Sequence, residues 1–271
     1  MSKFIISCTT CSLRNVGNDE VLSTFEHAPR AGYWAWGLAH PSLWSLGAWR
    51  WFDAKKMHRE AIEAGLIRCT EVYGPGLPNI PVKIADVRDM AGMFEIAQDM
   101  ESPLVVITGR GRNKDDPHAL DNCVEFLNEL AKRAEAYDGI RLALEPHYNS
   151  QVMTLEDYRY IFQRVTSPKI GITVDTGHFH AAGVNTIEFI KEFGNKVLNV
   201  HLKDHIGTQS VSIGEGEIDL KGIVKALDGI GYEGALAIEI EPEDHSKLPE
   251  YAKDAYLYMR KLVKEVTGQE A

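Results

Sequence analysis

Four apolar runs in the second half of the chain end on side chains that bind cations. Arg141-Leu-Ala-Leu-Glu145 and Ile170-Gly-Ile-Thr-Val-Asp175 each end on a carboxylate, Val197-Leu-Asn-Val-His201 on an imidazole, and Ala235-Leu-Ala-Ile-Glu239 on a further glutamate. Taken singly, a glutamate at a strand end is usually salt-bridged or solvated. Delivered together, three carboxylates repel one another or take up protons unless a cation neutralises them. Three oxygen donors and one imidazole suit one divalent ion, Mn2+ first, with Mg2+, Co2+ or Zn2+ also accommodated.

Such convergence needs a scaffold that aims several strand ends at one face. Short Val-, Ile- and Leu-rich runs predict strands over Phe4–Thr9, Trp34–Ala39, Ile67–Val72, Leu104–Thr108, Arg141–Leu144, Ile170–Val174, Val197–Leu202 and Ala235–Ile240. Their lack of alternation suits strands buried on both faces of a parallel sheet. Amphipathic stretches fall between them: Asp19–Ala31 before Gly32, Ala54–Ala64 before Gly65, Ile84–Met100, His118–Tyr137, Leu155–Val165, a segment opening at Asn185, Leu220–Ile230 and Leu248–Val266. Thr154-Leu-Glu-Asp157 and Asn185-Thr-Ile-Glu188 read as helix-opening capping boxes. Parallel neighbours require crossovers, so strict alternation predicts an α/β chain folded as a single (β/α)8 TIM barrel over residues 1–271. A doubly wound open sheet is the alternative, though it usually has fewer units. In a barrel, all four polar strand ends point to the face where barrel active sites lie.

The net charge of −10 disfavours nucleic acid as a partner, because an acidic chain repels phosphate backbones. No apolar run approaches the roughly 20 residues of a membrane helix, and the N-terminus lacks the pattern of a signal peptide. Four cysteines, Cys8, Cys11, Cys69 and Cys123, are too few for a disulfide scaffold and imply a reducing, cytoplasmic setting. Cys8-Thr-Thr-Cys11 has redox spacing but lacks a thioredoxin-like arrangement around it. The expected partner is a small carbohydrate, and a homo-oligomer is compatible with the sequence.

The segments Leu142–His147 (LALEPH), Val174–His180 (VDTGHFH), Val200–Asp204 (VHLKD), Gly214–Asp219 (GEGEID) and Gly231–Glu239 (GYEGALAIE) resemble the xylose-isomerase-like barrel superfamily. That group holds sugar isomerases, ketose 3-epimerases, inosose dehydratases and endonuclease IV-type enzymes. The resemblance covers roughly the C-terminal two thirds of the chain. It implies that Glu145, Asp175, His201 and Glu239 are the metal ligands, with Glu239 preferred over Glu241, which lies two residues on. It implies substrate contacts at His178 and Lys203, and an acid/base role for Glu145 and Glu239 as in its epimerase members. A metal-stabilised enediolate between two glutamates is the expected chemistry of an isomerase or epimerase of a small sugar or keto-sugar. A dehydratase or lyase on a keto-sugar or inosose is the alternative, followed by a non-catalytic sugar sensor and an abasic-site endonuclease. The extra histidines and Asp-x-His pair of endonuclease IV have no counterpart here. Strand three ends in Glu71-Val-Tyr-Gly74, strand four in Thr108-Gly-Arg-Gly111, and Gln209–Gly216 follows His201. Nor does Gln209–Ile213 carry the arginine that many ketose 3-epimerases and hydroxypyruvate isomerases place before the Gly-x-Gly turn.

His147 and Asn149 follow Glu145 closely enough to line a pocket. The five tryptophans between Trp34 and Trp51 offer either a sugar-stacking wall or rim packing. His40 is a weaker candidate for substrate contact. His178 and His180 have His-x-His metal spacing but would add neutral donors to a set already complete. Backbone N–H groups around Gly214-Glu-Gly216 could hold a phosphate at the start of the seventh helix, although Glu215 and Glu217 oppose it. Arg110, Arg112 and Lys114 form a basic loop that could serve an anion.

Overall fold

The computed structural model describes residues 3–77, 81–109 and 116–270. In chain order the elements are β1 (Phe4–Thr9), α1 (Glu20–Ala31), β2 (Ala35–Leu38), α2 (Ala54–Ala64), β3 (Arg68–Tyr73), α3 (Ile84–Asp99), β4 (Leu104–Thr108), α4 (Ala119–Ala134), β5 (Arg141–Glu145), α5 (Leu155–Phe162), β6 (Ile170–Asp175), α6 (Thr176–Ala181), α7 (Thr186–Phe193), β7 (Val197–Leu202), β8 (Asp204–Ile206), β9 (Gln209–Val211), α8 (Leu220–Gly229), β10 (Gly234–Ile238) and α9 (Leu248–Thr267). Strands β1 to β7 and β10 close into an eight-strand barrel, ordered β1-β10-β7-β6-β5-β4-β3-β2, with every pairing parallel. This is the predicted (β/α)8 barrel.

Local chemistry sets the helix ends. Asp19 and Asp53 accept the backbone N–H of Leu22 and Lys56 to open α1 and α2, and Gly32 and Gly65 close them. Thr154 and Asp157 form the predicted reciprocal capping box on α5. Asn185 caps α7, but through its own side chain alone. The apolar helix faces pack on the barrel's outside, where Trp36, Phe94, Phe126, Tyr158, Phe179 and Phe189 are fully buried. Inside, Leu104, Val106 and Ala143 pack with Tyr73 and Leu198 as a separate, smaller core. Alternation puts Ala143 on the same side of β5 as Glu145, so the apolar plug lies beneath the polar strand ends.

Two features depart from the sequence pattern. The pattern predicts eight helices, whereas the described residues hold nine α-helices; the addition, α6, turns His178 and His180 from loop into helix. Beyond β7 the chain makes a hairpin, β8 with β9, that is too short to announce itself by alternation. Among the described residues, no helix is long and apolar enough to cross a membrane.

Candidate metal centre

Register brings the candidate ligands together. Asp175 pairs directly with His201, and Ala237, two residues before Glu239, pairs with His201 from the other side. Glu145 ends β5 opposite Thr108. One ligand atom from each of Glu145, Asp175, His201 and Glu239 lies within 4.8 Å of all the others, and all four residues are buried. Glu241, two residues farther on, points its carboxylate to Arg14 and Lys203 at the partly exposed rim instead.

The donor atoms are aimed by second partners. Asp175 Oδ1 accepts the His178 N–H at 2.7 Å, capping α6, and this leaves Oδ2 facing inward. His201 Nε2 lies 2.8 Å from Glu71 Oε2, so Nδ1 is the nitrogen turned to the carboxylates, 2.5 Å from Glu145 Oε1 and 3.1 Å from Glu239 Oε2. The Tyr73 hydroxyl donates to Glu145 Oε2. Asp175 Oδ2 and Glu239 Oε2 are buried and meet no hydrogen-bond geometry, with Lys203 Nζ 3.3 Å from the first and His201 Nδ1 3.1 Å from the second. Three buried carboxylates this close repel one another unless cations compensate them, so the residues fit a divalent ion.

Lys203 supplies compensating charge at the same place. Its buried Nζ lies 3.3 Å from Asp175 Oδ2 and 3.1 Å from both Glu239 Oε1 and Glu241 Oε2. Burial alone would deprotonate it, but these carboxylates hold its pKa well above the usual lysine value. Burial also pushes Asp175 and Glu239 up; Lys203 and His201, with His178 at Asp175, outweigh it and hold both below the usual carboxylate range. At Glu145 burial prevails over His201, and the acid is shifted up. Burial opposes protonation of His201, but Glu71, Glu145 and Glu239 raise it well above an ordinary imidazole. His178 is driven down to about 3, chiefly by burial, and is neutral at physiological pH.

A cavity of about 470 Å3 opens above the cluster. Its walls include Glu239, His147, Asn149, His178 and Lys203, all sequence candidates, and Glu241. His147 and His178 face each other with ring centroids 4.1 Å apart, and Lys203 Nζ is 3.4 Å from His178 Nε2. Of the tryptophans, Trp44 lines this cavity, where Arg14 stacks on it 5.1 Å from the ring centre. Trp36 lies in the outer core and Trp51 is 87% exposed, so neither forms a wall over the site. His40 caps a short turn through Ser42 rather than reaching the cavity. His180 pairs with Glu217 at 3.4 Å and takes no part in the ligand cluster.

The proposed phosphate turn is already filled. The N–H groups of His205, Gly214, Gly216 and Ile218 all donate to the Asp204 carboxylate, at 2.9–3.2 Å. Helix α8 is opened separately by Asp219. Cys8 and Cys11 are buried and unlinked, and Cys11 Sγ accepts from Arg14 at 3.0 Å. Arg110, Arg112 and Lys114 lie outside the described residues. Sequence reasoning passed over Glu71, Tyr73, Asn199 and Arg14. The available signal was Glu71-Val-Tyr73 itself, where a carboxylate interrupts a strand buried on both faces.

The model of the xylose isomerase-like TIM barrel family matches residues 25–262. The chain belongs to that family. Among curated relatives, an inosose dehydratase of Geobacillus thermodenitrificans is 28% identical over 160 residues, covering 52% of this chain and 53% of that protein. An inosose isomerase of Bacillus subtilis is 32% identical over 157 residues, covering 54% of this chain and 55% of that one. The matched segments thus span about half the length of these relatives. Among solved structures, the IOLI protein with a zinc atom superposes with a TM-score of 0.78 at 21% identity, over 98% of this chain and all of that one. D-allulose 3-epimerase from Methylomonas sp. in complex with D-allulose superposes at 0.77 and 14% identity, over 95% and 96% of the two chains. At these identities the structural likeness is one of fold.

Proposed function

We propose that this protein is a metal-dependent isomerase or epimerase of a small sugar or keto-sugar. The observation that carries the reading is the convergence of Glu145, Asp175, His201 and Glu239 on one buried point at the floor of a sugar-sized cavity. A divalent ion held there, Mn2+ or the Zn2+ found in a structural neighbour, would polarise a carbonyl and stabilise negative charge developing on substrate oxygens. The protein's own side chains do the rest. Glu239 lies in the cavity wall with Lys203 Nζ against Oε1. Glu145 sits beneath it with Oε2 held by the Tyr73 hydroxyl. One carboxylate takes the proton from the carbon next to the carbonyl and the other returns a proton to the substrate. His147, Asn149, His178 and Lys203 present donors and acceptors to the hydroxyl groups.

The named relatives support a second reading, a dehydratase acting on an inosose, in which the same proton abstraction is followed by loss of the β-hydroxyl as water. A panel of keto-sugars and inososes incubated in deuterated water with Mn2+ or Zn2+ separates the two. Deuterium in an isomeric product supports the isomerase, and a product lighter by one water supports the dehydratase. No carbon-bound deuterium and no new product with any member would refute both.

A further inference from the structure

Strand β3 carries a bulge. Trp36 of β2 pairs with Cys69 and the next residue, Gly37, with Glu71, so Thr70 is an additional residue. A bulge re-aims the side chains that follow it, and here it turns Glu71 into the barrel, where it is 1% exposed. In the ring, β3 and β7 stand four positions apart, on opposite sides. Glu71 reaches across: its Oε2 lies 2.8 Å from His201 Nε2 and also accepts the side-chain amide N–H of Asn199. On its own side the carboxylate rests against Gly37, where a Cβ would come within 2.5 Å of Oε1. Among the described residues no lysine or arginine pairs with Glu71; the one side chain there that can carry positive charge is the His201 imidazole.

A neutral imidazole has one N–H and one lone pair, on opposite nitrogens, and its neighbours decide which is which. A carboxylate at Nε2 demands the proton there. The lone pair then falls on Nδ1, the nitrogen facing Glu145, Asp175 and Glu239. Carboxylates behind metal-bound histidines orient the ring and make it a better donor. We propose that Glu71, seated by the β3 bulge, Gly37 and Asn199, is a positioning residue that fixes the His201 tautomer and so sets the affinity of the cation site. The inference rests on the reading that these four ligands hold a divalent ion.

The test is calorimetric titration of the metal-free protein with Zn2+, together with nitrogen-15 NMR of its histidines in the Zn2+-loaded form. Glu71→Met, similar in size but with only a weakly accepting thioether in place of the carboxylate, should weaken Zn2+ binding by about 10–100-fold and erase the Nε2–H pattern of His201. Glu71→Gln keeps an amide oxygen for Nε2–H, so it should preserve that pattern with a smaller loss of affinity. Gly37→Ala, which displaces the carboxylate, should follow Glu71→Met and provides the test if Glu71→Met does not fold. A packing role alone would lower the melting temperature while leaving Zn2+ affinity and tautomer as in the wild type, and that result overturns the inference. If the wild-type protein itself binds neither Zn2+ nor Mn2+, the cation reading falls, and the role of Glu71 with it.

Discussion

If a divalent ion binds at the proposed site, Lys203 competes with it for the same oxygens, and this gives a measurable signature. In Lys203→Met the aliphatic stem is kept and the ammonium beside Asp175 Oδ2 and Glu239 Oε1 is lost. Both carboxylates are buried, and stripping one partner from a buried ion pair costs about 3–5 kcal/mol. The third pair, to Glu241, adds at most about 1 kcal/mol, because that carboxylate is more than a third exposed and screened by water. At roughly 2–4 °C per kcal/mol for a chain of this size, the metal-free variant should melt roughly 6–24 °C below the wild type in chelator. A cation at a hundred times its Kd returns about 2.7 kcal/mol. It should return more to the variant than to the wild type, in which the ammonium repels an incoming ion at the carboxylates it already occupies. Thermal melts of both proteins in EDTA and in saturating Mn2+ or Zn2+, at matched scan rates, read this difference directly. Equal metal-induced shifts in the two proteins, or a metal-free variant as stable as the wild type, would refute the claim that lysine and metal share these ligands.

Replacing Glu145 or Glu239 with Gln should abolish solvent-proton exchange on whichever sugar the panel identifies, while the circular dichroism spectrum stays native. Tyr73→Phe removes the hydroxyl bonded to Glu145 and should lower kcat by about tenfold or more, from a charged hydrogen bond of about 1.5–3 kcal/mol, in steady-state assays; an unchanged kcat would remove Tyr73 from the site. Asp204→Ala leaves four N–H groups without their acceptor; its urea midpoint should fall, and inorganic phosphate should raise it again in the variant but not in the wild type. Burial pushes the thiols of Cys8, Cys69 and Cys123 up to about 12 from an ordinary 9.0. The protonated thiols therefore contribute stability that is complete below pH 9.0 and lost as pH rises towards 12, because the unfolded chain ionises first. Urea melts across that window should show this loss shrinking in a Cys8→Ala, Cys69→Ala, Cys123→Ala variant, and an identical slope would refute the assignment.

The amino-acid sequence alone determined the ring and its four polar strand ends. Runs such as Ile170–Asp175 state their own length and burial, and the residue that ends each run necessarily emerges at the same face once parallel strands close. The same local logic gave the helix caps at Thr154 and Asn185. Asp175 shows where it ran short, because its second task, capping α6, appears only once the strand turns directly into a helix. Lys203 was placed near substrate by resemblance, but its seat among three carboxylates is a product of folding. The Asp204 carboxylate occupies a turn whose glycines suggested a phosphate, since the hairpin β8–β9 folds it back onto those N–H groups. Glu71 was the least legible. It meets His201 across the barrel from 130 residues away, by way of a bulge, and no local periodicity records either the added residue or the distant partner. Spacing along the chain encodes which face a side chain takes. Which other charge it finds there is decided by closure of the barrel, where burial makes each uncompensated charge costly and so selects the pairings.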